Sequence, residues 1–251
     1  MSPNVLVLGG TTEATALCQA LSAAGVTGRI SFAGRVERPK RQPLPQIIGG
    51  FGGPVGLAQY LRDEKITHLI DATHPFAAQM SRNAIAAAEQ ANVPMIALTR
   101  APWVAEPGDD WTHVKDIAEA VVALSRPRLR VLLAVGRMHL AEFVPNPQHF
   151  YLLRLVDPPT SDLPLPDIRI VVDRGPFRVE DDVSLMQDHR IDLVVSKNSG
   201  GTGAKAKIIA ARQLGLPVLM IDRPDLPERD EAHRVAEVMD WIAHTGTERG
   251  V

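Results

Sequence analysis

Two glycines followed by two hydroxyl residues end an apolar run near the amino terminus. Residues 5–8 lead into Gly9, Gly10, Thr11, Thr12 and Glu13, and an Ala- and Leu-rich segment then continues to residue 21. Glycines let the backbone turn sharply and approach a ligand closely. A threonine at either position can cap the helix that follows. The free N–H groups and positive dipole end of that helix predict a phosphate site. The full G-x-G-x-x-G fingerprint is absent, and a generic α/β turn is the alternative interpretation.

The loop after the second predicted strand bears on which nucleotide such a site would take. An NAD site usually places Asp or Glu about 20 residues past the glycines, whereas an arginine there accommodates the 2′-phosphate of NADP. This sequence has Ser31, Gly34 and Arg35 in that region, and no carboxylate precedes Glu37. Arginine binds phosphate through a planar fork and keeps its charge. The loop therefore favours NADPH, and a solvated basic loop is the alternative.

Two further loops follow strands in the amino-terminal half. Gly52 lies in the glycine-rich segment 49–53, where close approach of the backbone to a ligand is one explanation and a flexible loop is the other. Asp71, Thr73 and His74 follow the strand predicted at residues 68–71. Asp71 and Thr73 are predicted to hold a ribose or a nicotinamide amide, and His74 is predicted to supply a proton. The alternative is a turn stabilised by the acid, with a structural histidine.

Residues 196–205 form a second loop rich in glycine, hydroxyl and lysine residues. The loop does not fit the phosphate-binding motif G-x-x-x-x-G-K-[ST], because Ala206 follows Lys205. Its N–H groups, hydroxyls and lysines at a helix start still suit anions such as carboxylates. Further cations follow other strands in the same half, and together they suit a polycarboxylate. The predicted substrate-binding residues are Arg137, Arg154, Arg174, Lys197, Ser199, Gly200, Gly201 and Thr202.

The elements that must position these loops alternate between strand and helix, which predicts parallel sheets of an α/β fold. Segments beginning at Leu69 and Leu193 repeat one pattern: strand, loop, Ala-rich helix, proline and strand. The repeat predicts two Rossmann-like domains, each with a mainly parallel sheet flanked by helices. We place them at residues 1–125 and 126–251, with a linker near residues 125–128. One extended sheet is the alternative.

The composition is ordinary for a soluble protein, and it narrows the function classes. The net charge of −2 gives no general attraction for nucleic acid or anionic membranes. The chain shows no signal-peptide pattern and no apolar run of membrane-spanning length. Cys18 is the only cysteine, and the histidines lack metal-ligand spacing. We expect a cytoplasmic protein with no metal site and without a serine-hydrolase elbow.

Five segments in fixed order resemble the precorrin-6A reductase family, the NADPH-dependent reductases of corrin-ring biosynthesis. They are LGGTTEA, IDATHPFA, LLRLVDPP, RGPF and VSKNSGGTGAKAKIIAARQLGLPVLMIDRP, and the resemblance extends over nearly the whole chain, from Val5 to Arg223. No single segment is decisive, but the ordered set is specific. The resemblance implies two Rossmann-like domains with the macrocycle between them and with NADPH held by the amino-terminal half.

The resemblance also implies a reaction. NADPH passes a hydride to a C=C bond of precorrin-6A, and a proton follows, to give precorrin-6B on the route to cobalamin (vitamin B12). The carboxylate arms of the substrate would then explain the cationic loops of the carboxy-terminal half. His74 and Lys197 are the side chains to test first as proton donors, with water or the substrate itself as alternatives.

Other interpretations stay open at this stage. They are a cobalt-precorrin-6A reductase of the anaerobic route, a different nucleotide-using α/β enzyme such as a methyl or glycosyl transferase, and a non-catalytic nucleotide sensor. The basic loop around Arg35 argues against S-adenosylmethionine, which carries no phosphate. The sequence also leaves open the oligomeric state and any contacts with neighbouring enzymes of the pathway.

Overall fold

The computed structural model describes residues 2–32, 41–155, 158–159, 161–173, 175 and 177–245. Within these ranges the chain forms twelve β-strands, seven α-helices and a 3-10 helix at Arg137–Phe143. In chain order the strands are β1 (Asn4–Leu8), β2 (Thr27–Phe32), β3 (Gln46–Ile48), β4 (His68–Asp71), β5 (Met95–Leu98), β6 (Trp111–Val114), β7 (Arg130–Ala134), β8 (Phe150–Leu155), β9 (Ile168–Val172), β10 (Leu193–Lys197), β11 (Val218–Ile221) and β12 (Glu231–Ala232). The α-helices are α1 (Thr12–Ala23), α2 (Gly53–Asp63), α3 (Ala78–Ala91), α4 (Ile117–Ala123), α5 (Val179–Asp188), α6 (Ala206–Leu214) and α7 (Val235–Thr245).

The described strands form two six-stranded sheets whose neighbouring strands all run parallel. The first sheet has the order β12-β5-β4-β1-β2-β3, and the second has the order β6-β11-β10-β7-β8-β9. Both follow the strand order of the Rossmann fold, in which the order reverses beside the first strand. The prediction of two Rossmann-like domains with mainly parallel sheets is confirmed.

The chain divides into two compact units, and their bounds differ from the predicted ones. The first unit is Met1–Arg100 with Asp225–Val251, and the second is Ala101–Pro224. The predicted division at residues 125 and 126 is corrected because β6, which precedes it, pairs with β11 of the second sheet. Conversely, β12 lies beyond that division and pairs with β5 of the first sheet. The chain therefore crosses between the units after Arg100 and again after Pro224.

Alternating strand residues build two apolar layers around the first sheet. Val5 and Val7 point to one face, where they join a buried cluster with residues of α1 and α7. Leu6 and Leu8 point to the other face, where they join a cluster with residues of α2 and α3. This division follows from the two-residue period of a strand. Both faces are covered, as a parallel sheet requires.

The second sheet is covered in the same manner. Apolar residues of β7, β8, β10 and β11 share a buried cluster with Met186 of α5 and Ile208 of α6. The repeated segments of the sequence correspond to β4-α3-β5 and β10-α6-β11, which occupy equivalent places in the two sheets. Among the described residues, no helix has the length and apolar character needed to cross a bilayer.

Candidate active site

The loop between β1 and α1 lies where the strand order of the first sheet reverses, between β1 and β4. Gly9 donates its N–H to the carbonyl of Ser31 at 2.8 Å, which ties the loop to the end of β2. Thr11 is the N-cap of α1, and its hydroxyl oxygen accepts from the N–H of Ala14 at 3.1 Å. The same hydroxyl donates to the carbonyl of Ala72 at 2.8 Å. Thr11 thus joins the two loops on either side of the switch point, where Rossmann folds bind ligands.

The glycines of this region have different physical roles. A Cβ on Gly9 would lie 2.5 Å from Ile30 Cδ1, so a larger residue at this position would require the buried Ile30 side chain of β2 to shift. Gly10 has a φ of +132°, and apart from its chain neighbours no atom of the described residues lies within 4 Å of the position that its Cβ would take. Gly52, the residue before α2, has a φ of +78° and is equally open. The open sides of Gly10 and Gly52, together with the amino end of α1, fit a phosphate-bearing ligand.

Glu13, in the first turn of α1, forms a bidentate ion pair with Arg100. Arg100 Nε donates to Glu13 Oε1 at 2.8 Å, and Arg100 Nη2 donates to Glu13 Oε2 at 2.7 Å. Nη2 also donates to Thr12 Oγ1 at 3.1 Å. Burial acts to raise the pKa of Glu13, but the hydrogen bonds and positive charge of Arg100 outweigh burial and hold this pKa below its ordinary value. Glu13 is therefore ionised, and Arg100 balances its charge.

Asp71, at the end of β4, is buried within a network of protein hydrogen bonds. Its Oδ1 accepts from the N–H of Thr73 at 3.1 Å and from the Thr73 hydroxyl at 2.6 Å. Its Oδ2 accepts from the Ser81 hydroxyl at 2.6 Å and from Arg229 Nη1 at 2.7 Å. These four bonds engage both carboxylate oxygens, so Asp71 acts in this structure as the brace of the loop between β4 and α3.

His74 lies in the turn that Asp71 supports. Its Nδ1 accepts from the N–H of Phe76 at 3.2 Å, and its carbonyl accepts from the N–H of Ala77 at 2.7 Å. An accepting Nδ1 means that the neutral ring carries its proton on Nε2. The turn therefore holds the imidazole at the carboxyl edge of the first sheet, in the loop adjacent to the amino end of α1.

Three predicted site residues, Gly34, Arg35 and Arg174, lie outside the described residues. Ser31 is described; it is buried at the end of β2, beside Leu8 of β1. The other predicted cofactor residues lie at the end of β4 or in the loops after β1, β3 and β4, and these parallel strands end at the same edge of the first sheet. They are Gly9, Gly10, Thr11, Thr12, Glu13, Gly52, Asp71, Thr73 and His74.

Lys197 ends β10 at the switch point of the second sheet, between β7 and β10. The residue is 8% exposed. Burial lowers the pKa of Lys197 to about 8, and the nearby carboxylate of Glu142 opposes this only in part. Glu142 belongs to the 3-10 helix that follows β7. An amine with this pKa exchanges its proton near neutral pH, which suits a general acid or base.

The loop after Lys197 is shaped by residues from distant parts of the second unit. Asn198 accepts from the N–H of Trp103 at 2.8 Å and donates to its carbonyl at 3.0 Å. The Trp103 indole donates to the carbonyl of Gly201 at 2.6 Å. Arg223 donates to the carbonyls of Asn198 and Ser199 at 3.1 and 3.3 Å. A Cβ on Gly200 would lie 2.2 Å from the carbonyl oxygen of Ala101, so a larger residue cannot fit there.

The predicted cations of the second unit differ in their surroundings. Arg154 forms an ion pair with the buried Asp182, and its guanidinium lies 4.3 Å from the centroid of the Phe177 ring. Arg154 therefore neutralises a buried carboxylate, a structural role that the sequence did not predict. Arg137 is exposed at the start of the 3-10 helix, and Thr202 is exposed in the loop before α6. Lys205 pairs with Glu106 at 2.7 Å.

Sequence reasoning did not identify Arg100, Trp103, Arg223 or Arg229 as site-forming residues. Each acts on a loop far away in the chain, as with Arg100 and Glu13, which are 87 residues apart. One signal was present: both repeated segments end in an arginine followed within two residues by proline, at Arg100 and at Arg223. Both arginines brace a loop at the carboxyl edge of their sheet.

Comparisons with known proteins show the family to which this chain belongs. The sequence matches the family described as Precorrin-6x reductase CbiJ/CobK over residues 4–243. The Precorrin-6A reductase of Rhodobacter capsulatus is 56% identical over 249 residues, which cover 99% of each chain. The Cobalt-precorrin-6A reductase of Priestia megaterium is 30% identical, with 88% of this chain and 91% of that protein covered. A solved structure of a CobK precorrin-6A reductase is 55% identical, with a TM-score of 0.92 and 97% of both chains covered. The resemblance that the sequence motifs indicated is confirmed, and the chain belongs to the precorrin-6x reductase family.

Proposed function

We propose that this chain reduces a C=C bond of precorrin-6A to give precorrin-6B in cobalamin biosynthesis, with NADPH supplying the hydride. The observation that carries the proposal is the match to the reductase family along residues 4–243. The switch point of the first sheet supports a nicotinamide dinucleotide, because it combines the amino end of α1 with the open backbone at Gly10 and Gly52. Arg35 in the sequence favours the 2′-phosphate of NADPH over NADH.

The residues of the first unit are assigned in this proposal to different parts of the cofactor. Gly9, Gly10, Thr11 and the N–H groups that open α1 take the pyrophosphate, while Ser31, Gly34 and Arg35 take the adenosine ribose and its 2′-phosphate. Gly52 leaves room for the backbone to approach the cofactor. Asp71 positions Thr73 and His74, because its own oxygens are engaged by protein donors. Thr73 and His74 then remain as contacts for the nicotinamide half.

The loops of the second unit are proposed to bind the carboxylate arms of the substrate. Ser199, Gly200, Gly201 and Thr202 lie in a loop braced by Trp103 and Arg223, so the N–H groups of this loop are presented in a fixed arrangement. Arg137 and Arg174 are proposed to attract these carboxylates by their positive charge. Arg154 is proposed to support the substrate site indirectly, through its ion pair with Asp182. Lys197 is the proposed proton donor, and His74 is the second candidate.

The cobalt-free substrate is favoured over its cobalt complex. The relative named Precorrin-6A reductase in Rhodobacter capsulatus is 56% identical to this chain. The relatives named Cobalt-precorrin-6A reductase in Priestia megaterium and Salmonella typhimurium are each 30% identical. Metal-free precorrin-6A is therefore the substrate that the proposal names.

Anaerobic incubation of the protein with NADPH and precorrin-6A tests the proposal. We expect loss of NADPH absorbance together with a spectral change in the macrocycle, and little turnover with NADH or with cobalt-precorrin-6A. A thermal-shift measurement provides an independent check, because a ligand that binds the folded state raises its melting temperature. NADPH should raise this temperature more than NADH does. Equal shifts would contradict the cofactor, and faster turnover of the cobalt complex would contradict the substrate.

A further inference from the structure

Glu13 places a negative charge in the first turn of α1, where the proposed cofactor site also needs to hold phosphate. A carboxylate in a first helical turn interacts favourably with the positive end of the helix dipole. For the same reason it competes with an incoming anion and repels it at short range. A lone Glu13 would therefore weaken the anion site that the glycines and Thr11 otherwise create.

The guanidinium of Arg100 neutralises this charge through several hydrogen bonds. Its guanidinium engages both oxygens of Glu13, at 2.8 and 2.7 Å, and also the Thr12 hydroxyl at 3.1 Å. The side chains of Arg100 and Glu13 are only 18% and 27% exposed, so solvent screens the pair less than a surface ion pair. Two parallel N–H···O bonds also fix the orientation of both side chains.

We propose that Arg100 is a positioning residue of the cofactor site: it cancels the charge of Glu13 and so keeps the amino end of α1 attractive to the pyrophosphate. The inference rests on the proposed function, since it requires a phosphate-bearing cofactor at α1. It also gives Glu13 a role that the motif alone leaves unexplained. Through its ion pair with Arg100, Glu13 connects the start of α1 to the residues that follow β5. Arg100 also offsets the repulsion that the Glu13 carboxylate would exert on the pyrophosphate.

A double-mutant cycle of charge-neutralising substitutions tests the inference through the dissociation constant for NADPH, measured by titration at low salt. Arg100→Met removes the cation and leaves Glu13 exposed to the cofactor, so we expect binding to weaken by about tenfold, equivalent to about 1.4 kcal/mol. Glu13→Gln alone removes the competing carboxylate charge and leaves the Arg100 cation in place, so NADPH should bind more tightly than it does to the wild type. The double variant Glu13→Gln/Arg100→Met should return to within about threefold of the wild type, because no uncompensated charge remains.

Ionic strength separates this electrostatic role from a purely structural one. At about 1 M salt the screening length falls to about 3 Å, so the ratio of the Arg100→Met constant to the wild-type constant should shrink. Arg29→Met is the matched control, because it removes an arginine from an ion pair with Glu64, a residue that follows α2 at the opposite edge of the first sheet. This control should bind NADPH like the wild type.

The possible outcomes distinguish the inference from the function on which it rests. A wild-type chain that does not bind NADPH would overturn both. Wild-type binding with an unchanged Arg100→Met constant would overturn the inference alone. So would a double variant as weak as Arg100→Met, since Arg100 would then hold the cofactor or the loop directly.

Discussion

Lys197 places an amine in the interior of the second unit, at the end of β10. Burial disfavours the ammonium form and lowers the pKa of Lys197 to about 8, in spite of the opposing effect of Glu142. A folded state that holds such a charge is less stable than one with an apolar residue in its place. A costly ionisable group at a switch point is characteristic of a functional site, which supports the proposed role in proton transfer.

We therefore predict that Lys197→Met makes the protein more stable and less active. The pKa of Lys197 falls from 10.5 to about 8, and each unit corresponds to about 1.36 kcal/mol, so the free energy of unfolding should rise by up to about 3 kcal/mol at pH 7. The folded pKa lies below the unfolded one, so this gain is complete below pH 8 and fades as the pH rises towards 10.5. Urea unfolding at several pH values measures the gain.

Lys115→Met is the matched control for this prediction, because Lys115 is an exposed lysine of the same unit. It should change neither the pH dependence of stability nor the rate of precorrin-6A reduction. Full activity of Lys197→Met would remove Lys197 from the catalytic step. A stability gain that does not depend on pH would show that improved packing, and not charge burial, is its source.

Asp71 and Arg229 form a buried pair whose loss we predict to be strongly destabilising. Their side chains are 2% and 10% exposed. Arg229→Met would leave the Asp71 carboxylate buried without its cation, at a cost of about 3–5 kcal/mol. Chemical unfolding of Arg229→Met measures this loss. The double variant Asp71→Asn/Arg229→Met should recover part of it, because the uncompensated charge is gone. Arg82→Met is the control, since the Arg82 guanidinium donates an exposed hydrogen bond to the carbonyl of Asp225. A mild effect of Arg229→Met would mean that water reaches Asp71.

At the scale of elements, the start of α1 decides the shape of the cofactor loop. The sequence offers Thr11 and Thr12 as equivalent caps, but only Thr11 has the extended backbone of an N-cap, with φ −121° and ψ 167°. The Thr11 hydroxyl accepts from the N–H of Ala14 and donates to the carbonyl of Ala72. One side chain thus caps a helix and joins two loops.

Thr11→Ala is predicted to destabilise the first unit by about 2 kcal/mol. The lost N-cap accounts for about 1 kcal/mol, and the carbonyl of Ala72 left without its donor accounts for about 1 kcal/mol more. Thr12→Ala is the control and should cost less than about 0.5 kcal/mol, because the Thr12 hydroxyl bonds are exposed. Thermal unfolding of the two variants makes the comparison. Equal losses would show that the cap is shared between the two threonines.

The strands and most helices were predictable because each is set by its own apolar pattern. β6, in which two of the four residues are exposed, lies at the edge of the second sheet. β12 was not predicted, because its two residues are too few to show the alternating pattern of a strand. The 3-10 helix at Arg137–Phe143 was also missed, because its pattern is shorter than an α-helical repeat.

The contacts that shape the site were not predictable from local pattern. Arg100 lies 87 residues from Glu13, and Arg229 lies 158 residues from Asp71. Such pairs depend on strand order, which one sequence does not reveal. Residue type did predict the local geometry of the β1–α1 loop, a threonine N-cap and a turn through glycine, because glycine and threonine have local geometric roles. It could not predict that the carboxylate of Asp71 is engaged by Arg229.

At the scale of the whole molecule, the two sheets exchange their last strands. β6 follows β5 in the chain but completes the second sheet, and β12 follows β11 but completes the first. The first unit therefore consists of two separate stretches of chain, and its core contains Ala232, Val238 and Ile242 from the second stretch. Its folding requires contacts between residues more than half the chain apart, which is expected to slow its assembly relative to a contiguous domain.

This exchange leads to a prediction about fragments of the first unit. A chain of residues 1–125 lacks β12 and α7, so Val5, Val7 and Leu17 lose the apolar residues that cover them in the buried cluster. We expect this fragment to aggregate or to unfold without a cooperative transition. A chain of residues 1–100 joined by a flexible Gly/Ser linker to residues 225–251 restores that cover, and it should melt cooperatively and bind NADPH. Circular dichroism and NADPH titration of both chains make the comparison. Cooperative melting of the 1–125 chain would show that β12 and α7 are dispensable, and the first unit would then be complete before the chain crosses to the second.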